Sequence, residues 1–235
     1  MSARWVPRQL TAELKERVDT CEELLKCFEA EGNGFLVRTV TGDEIWVHYH
    51  QLETKNASKK WRRTSSPKLR KFRTQPSVGK VMLILFWDER VVILEHYMPR
   101  GKTVTSETYA DLLKNHLRPA IKSKRHGLLS TGVLLQHDNA QPHTAHSTVA
   151  TIQDMSSECL PHRSNSPDLA PSDFHVFGPL KEAMGGKSFR FDEEVQQAVH
   201  EWLHSQSKDF FSRGIHALPK RWKTCMEGNG DYVEK

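Results

Sequence analysis

Three aspartates carry the strongest chemical signal in this chain. Asp43 lies in Thr41-Gly42-Asp43-Glu44, Asp138 in Gln136-His137-Asp138-Asn139-Ala140, and Asp173 in Ala170-Pro171-Ser172-Asp173-Phe174-His175, with 34 residues between the last two. Each stands where an apolar segment ends or pauses, so a fold can bring all three carboxylates to one edge of a sheet. Clustered carboxylates repel one another and take up protons unless a cation stands between them. Hard divalent ions, Mg2+ or Mn2+, suit an all-oxygen donor set. Two such ions about 3.5–4 Å apart clamp the attacking and leaving oxygens of an in-line phosphoryl displacement. The expected chemistry is metal-dependent phosphodiester cleavage, with two ions held by Asp43, Asp138 and Asp173.

The elements that must position these acids are legible from periodicity. Leu14, Val18, Cys21, Leu25 and Phe28 form one helical stripe that Gly32-Asn33-Gly34 ends. Residues 35–49 mix β-branched and aromatic side chains and predict one long strand carrying Asp43. Two apolar runs, 80–87 and 91–98, joined by Asp88-Glu89-Arg90, predict a hairpin. Tyr109, Leu112, Leu113, Leu117 and Ala120 share a helical face that Pro119 threatens to bend. A short buried strand, 132–136, delivers Asp138 at its carboxyl end, where ligand chemistry in open α/β sheets commonly sits. A helix over about 144–155 and a strand over 158–161 follow, then a Pro-rich turn in which Asp168 of Ser166-Pro167-Asp168 reads as a turn or cap residue, and Ser172 is placed to cap a helix opening at Asp173. The tail predicts helices with Val195, Ala198, Val199, Trp202 and Leu203 on one face and Phe210, Phe211, Ile215, Leu218 and Trp222 on another. Trp46, Trp87, Trp202 and Trp222 read as core.

Composition narrows the partners. With 235 residues and 37% hydrophobic content, the chain can bury one sizeable core, as a domain with an appended helix or as two small domains. The apolar run 81–87 is far short of the roughly 20 residues a membrane helix needs, and no signal peptide precedes it, so a soluble intracellular protein is expected. The four cysteines lack Cys-x-x-Cys spacing, which argues against a zinc ribbon or a disulfide framework. The net charge of +5 is concentrated in runs: Lys59, Lys60, Arg62 and Arg63 around Trp61; Lys68, Arg70, Lys71 and Arg73 around Phe72; and Lys122, Lys124 and Arg125. Such runs suit phosphate neutralisation with release of counterions, and each alone suits a solvated surface equally well. The stretch 51–78 is too long for an idle connection and predicts a functional excursion. His137, His143, His146 and His175 fit no tight tetrahedral zinc spacing and read as polar packing or DNA-facing groups.

Several separated motifs, in order, resemble the mariner group of the Tc1/mariner transposases. They are Trp5-Val6-Pro7-Arg8-Gln9-Leu10, Val40 to Glu44, His137 to Ala145, Ser166 to His175, Phe177 to Glu182 and Gly230 to Lys235. The resemblance implies an α/β, RNase H-like fold, a mixed five-stranded sheet flanked by helices with a long insertion after the first strand. It divides the chain into a linker and N-terminal helix, 1–33, and a catalytic domain, 34–235, with the insertion at about 50–79. Adjacent strand residues point to opposite faces, so only one of Asp43 and Glu44 can join the acids. The family motif selects Asp43 and leaves Glu44 to brace a neighbour or face the other layer. It also gives His137 and Asn139, which flank Asp138, the role of orienting it.

By the same resemblance, the activity is DNA strand cleavage and strand transfer in cut-and-paste transposition. The partners implied are transposon ends, a TA target and a second copy of the chain, contacted through 5–10 and 51–78; the compartment implied is the nucleus. The paired helix-turn-helix domain that precedes the linker in relatives is not among these residues, so DNA binding with little sequence preference is expected. Two departures stand out: residues 162–166 replace a stretch where relatives carry prolines and a tyrosine, and Gln141 stands where an arginine is common. Such drift keeps open an alternative, a domesticated DNA-binding and dimerisation module with weak or lost cleavage.

Overall fold

The computed structural model describes residues 11–50 and 79–233. The linker motif at 5–10, the excursion 51–78 with eight of the expected DNA-contacting cations, and the last two residues lie outside them. The described chain forms one sheet of order β3-β2-β1-β4-β5, built from β1 (Thr39–His48), β2 (Lys80–Trp87), β3 (Val92–Tyr97), β4 (Val133–Gln136) and β5 (Ser157–Cys159). The first three strands run antiparallel, and β4 and β5 add in parallel beside β1. This mixed five-stranded sheet, covered by helices on both faces, is an RNase H-like fold.

Alternation along the strands separates two cores. Leu83, Leu85 and Trp87 face one helical layer with Ile45 and Val47, while Ile84 and Phe86 face the other with Val40. The first layer comprises α1 (Thr11–Glu31), α2 (Asn33–Arg38), α8 (Gly178–Met184), α9 (Asp192–Ser205), α10 (Lys208–His216) and α11 (Leu218–Glu227). Cys21 and Leu24 of α1 belong to this core, so the first helix is packed into the sheet layer and is no loose appendage. The second layer comprises α3 (Ser106–Asp111), α4 (Arg118–Lys124), α5 (Leu128–Thr131) and α7 (His146–Asp154), with the short α6 (Gln141–Thr144) leading into α7. All four cysteines are free thiols. Among the described residues, no helix is long and apolar enough to cross a membrane.

Several local expectations need correction. The predicted strand 35–49 begins only at Thr39, because residues 33–38 turn once more as helix. Short apolar runs cannot be told apart by pattern alone. Gly32, with φ +61, ends α1 and restarts the chain, and Phe35 then packs edge-on against Trp222 at 6.1 Å. The helix expected over 144–155 is split by extended Ala145, and the strand expected over 158–161 is Ser157–Cys159. The bend threatened by Pro119 takes the form of a wide π-helical turn, Leu112–Leu117, after which Pro119 opens α4 where its missing N–H costs nothing. Trp46 is not core: its ring is 38% exposed and carries the Lys80 ammonium 3.9 Å above it. Trp87 and Trp222 are fully buried, and Trp202 packs against the first core from its margin.

Candidate active site

The register of β1 and β4 sets the geometry. Thr41 pairs with Gln136, so Asp43 and Asp138 each stand two residues further along neighbouring parallel strands, at the same end of the sheet. Beside Asp43, Gly42 leaves room for the Phe86 ring of β2, which a Cβ at that position would overlap. Asp173 arrives from the π-helical turn Ser172–Phe177, a geometry frequent at functional sites. Ser172 does not cap that turn. Pro171 before it is already helical, and the buried Ser172 hydroxyl accepts a 3.0 Å hydrogen bond from the Trp87 indole. The turn is therefore pinned to β2 from within the core. Gln136 anchors the preceding loop by donating to the Leu169 carbonyl at 3.1 Å.

Asp43, Asp138 and Asp173 line one cavity of about 350 Å³, together with Gln136, His162 and the loop 163–167. Burial, then the charges of Asp173, Glu44 and Asp138, push the Asp43 carboxyl well above the usual carboxylate range. Burial also raises Asp173, against the pull of Lys181 and with a further push from Asp138. Asp138 differs. Burial would raise it, but hydrogen bonds from His143 and the Ala140 amide outweigh that effect and hold it below its ordinary value. His143 Nδ1 lies 2.5 Å and the Ala140 nitrogen 3.0 Å from the same oxygen, Asp138 Oδ1.

His143 was expected only as packing or a DNA-facing group, yet it joins the two faces of the sheet. Its Nε2 lies 3.2 Å from Glu44 Oε1, which shares the sheet face opposite Asp43. Burial would lower its pKa, but the two carboxylates raise it to about 9, so the ring is an imidazolium at neutral pH. Its plane stacks on His137 at 5.0 Å and sits against Tyr109 at 4.1 Å. The one sequence cue was its position in the turn after Asp138, opened by Pro142. His137 does not reach the Asp138 carboxylate: its nitrogens meet the Tyr109 hydroxyl and the Cys159 thiol, both at 3.0 Å. Burial depresses His137 to about 3 and His162 to about 4, so both rings are neutral. Asn139 is exposed on the cavity rim.

Of the expected DNA-contacting cations, Lys122 is exposed beside a basic cavity of about 600 Å³ that Lys114, Arg118 and His126 also line. Lys124 is spent partly on the Val92 carbonyl at 3.1 Å. Arg125 departs from expectation. It is 7% exposed and paired with the fully buried Asp88, so its guanidinium serves the β2–β3 turn, although the residue also lines the basic cavity. Asp168 also differs from the simple turn residue suggested by Ser-Pro-Asp, being the buried partner of Arg17 at 2.7 Å.

Fold and site together define an RNase H-like domain with acids delivered by the first strand, the fourth strand and a late helical turn. Residues 51–131 match the family described as Transposase (partial DDE domain). Mariner Mos1 transposase of Drosophila mauritiana is 35% identical over 98% of this chain, and human Histone-lysine N-methyltransferase SETMAR is 33% identical over 98%. The Mos1 mariner paired end complex with Mn superposes with a TM-score of 0.89 at 35% identity, covering 100% of this chain and 68% of that one. The chain belongs to the mariner transposases, and its residues form the catalytic domain of that family. It spans 66% of the length of Mos1 transposase and 33% of SETMAR.

Proposed function

We propose that this chain cuts DNA strands and transfers the freed 3′ ends to a second duplex, with Asp43, Asp138 and Asp173 holding two Mg2+ or Mn2+ ions. The observation that carries this reading is the convergence of three acids on one cavity with Asp43 driven up by its neighbours. Such a site relaxes on taking up a cation, and an all-carboxylate donor set suits a hard divalent ion. The solved Mos1 complex with Mn supports the same choice. When bound, the ions would activate a water or 3′-hydroxyl and stabilise the departing oxygen.

The chain's own residues prepare that site. The His143 imidazolium and the Ala140 amide both engage Asp138 Oδ1, which fixes the carboxylate plane and leaves Oδ2 for a ligand. Glu44 secures the far side of His143 and keeps that ring charged. The Trp87–Ser172 bond fixes the turn that presents Asp173. Lys122 and the cations of 51–78 serve phosphate contact in this reading. Transposon ends and a TA target are the substrates, a second copy is the partner and the nucleus is the compartment.

Mg2+-dependent nicking of a pre-assembled transposon end tests the proposal. Asp138→Ala reduces nicking to background while DNA binding in a gel-shift assay stays within about twofold, because phosphate contacts are made elsewhere. Persistent nicking by the purified variant overturns the assignment. A second reading, a module that binds DNA and dimerises without cutting, draws on the similarity to SETMAR, a much longer protein named for a different activity. Wild-type protein that binds Mg2+ but leaves the DNA end uncut favours it.

A further inference from the structure

On the far edge of the sheet, a second group of metal-type donors lies away from the acid cavity. His200 and His204 stand one turn apart on α9 and so share one helical face. That face is exposed, while Val195, Val199 and Leu203 of the same helix are buried in the first core. Glu95 reaches the two rings from β3, the edge strand, where it pairs with Leu85 and so points into the helical layer containing α9. Its Oε1 lies 2.8 Å from His204 Nε2 and its Oε2 lies 3.3 Å from His200 Nδ1. The two imidazoles are 4.2 Å apart, centroid to centroid, and one donor atom from each of the three residues falls within 4.8 Å of the others.

We propose that Glu95, His200 and His204 form a binding site for a zinc-class transition-metal ion that fastens α9 to the edge strand. Two ligands on zinc at about 2.0–2.1 Å, separated by a tetrahedral angle, are about 3.3 Å apart. The spacings of 2.8 and 3.3 Å, one to each carboxylate oxygen, lie close to that value, and the remaining donor separation is at most 4.8 Å, a gap that the exposed imidazoles can close. Two imidazoles and one carboxylate select zinc, nickel or cobalt over magnesium, which avoids nitrogen donors. The carboxylate is also held in place: the Tyr97 hydroxyl lies 3.4 Å from Glu95 Oε2 and 3.3 Å from the Gln196 carbonyl on α9. Glu95 is only 10% exposed whereas both rings are open to solvent, so an ion can enter from the surface without unfolding the edge. Three protein ligands leave a fourth position for water. This site is independent of the proposed cleavage chemistry, whose carboxylates take a harder ion.

Zn2+ titration calorimetry and elemental analysis after dialysis test the proposal on the whole chain. Glu44, Asp138 and His143 offer a second set of close donors, so Asp138→Asn serves as the reference protein. That variant is expected to retain one zinc site, and adding His200→Ala or His204→Ala to it weakens binding by roughly tenfold or more. At about a hundredfold excess over Kd, zinc raises the Tm of the Asp138→Asn protein by about 5–10 °C, and this rise disappears with either histidine. Because both rings are solvent-exposed, their truncation leaves the fold intact. A zinc stoichiometry and Tm shift unchanged by both histidine variants overturns the proposal, as does the absence of any zinc site in Asp138→Asn. In that case the three residues are only a surface ion-pair cluster. Mg2+-dependent nicking, lost in Asp138→Asn whatever the zinc result, reports separately on the cleavage reading.

Discussion

Asp168 and Asp173 come off the same Pro-rich turn and meet opposite fates. Asp168 is buried and receives both guanidinium arms of Arg17, at 3.1 and 2.7 Å, and the Val233 amide at 2.9 Å. Asp173 is exposed toward a cavity that already holds Asp43 and Asp138, and among the described residues no side-chain cation pairs with it. Where the acid is structural, the fold supplies the neutralising charge itself, with Ser166 and the Gly230 carbonyl completing the arginine's bonds. Where the acids converge on the cavity, the described residues pair one imidazolium with Asp138 and Glu44, while Lys181 pulls on Asp173 without forming an ion pair, which leaves a deficit of positive charge. That deficit, more than the acids alone, marks the candidate active site.

Removing the structural cation sharpens the contrast most. Arg17→Ala leaves Asp168 buried and unpaired, and the expected loss is about 3–5 kcal/mol. For a chain of this size, that appears in calorimetry as a fall in Tm of about 6–20 °C. The double variant Arg17→Met with Asp168→Leu recovers most of it, since well-packed apolar replacements are often neutral. A loss below about 1 kcal/mol for Arg17→Ala would erase the distinction between the two groups of acids. A smaller effect is expected from the imidazolium of the site. His143→Ala frees Asp138 Oδ1 and lowers Mg2+-dependent nicking by about 10–100-fold, with a weaker apparent Mg2+ affinity. Nicking at the wild-type rate and Mg2+ midpoint would show that His143 only packs against Tyr109.

The same contrast explains what the sequence revealed. The convergence of Asp43, Asp138 and Asp173 on one cavity was legible because each sits in a local motif at the end of a periodic apolar segment, and the tail helices were legible because their buried positions recur at helical spacing. The neutralising partners were not. Arg17 and Asp168 are 151 positions apart, His143 and Glu44 are 99 apart, and Arg125 and Asp88 sit on different elements. No periodicity links such pairs, so Asp168 read as a turn residue, Arg125 as a phosphate contact and His143 as packing. Trp46 failed for a related reason. Its strand neighbours are buried, but its own side lies at the margin of the sheet, where Lys80 covers it. Charge pairing and sheet-edge exposure are properties of the assembled layers, whereas strand and helix are properties of short stretches.

The smallest effect expected concerns stability without metal. The Asp43 carboxyl is raised by burial first and by Asp173 next, so its folded-state pKa exceeds its unfolded one. A folded state that holds a proton more tightly is stabilised by that proton. The contribution is fully present below the unfolded carboxylate pKa and is lost as pH rises through the higher folded value. In chelator, the wild-type Tm should therefore carry a declining component as pH climbs out of the ordinary carboxylate range. Asp43→Asn keeps the shape, removes the charge and abolishes that component, which leaves the variant more stable than the wild type at neutral pH. Mg2+ should close the gap by raising the wild type alone. If chelated Asp43→Asn melts at or below the wild type at neutral pH, the acids of the cavity are not short of positive charge, and the difference drawn between Asp168 and Asp173 does not extend to Asp43.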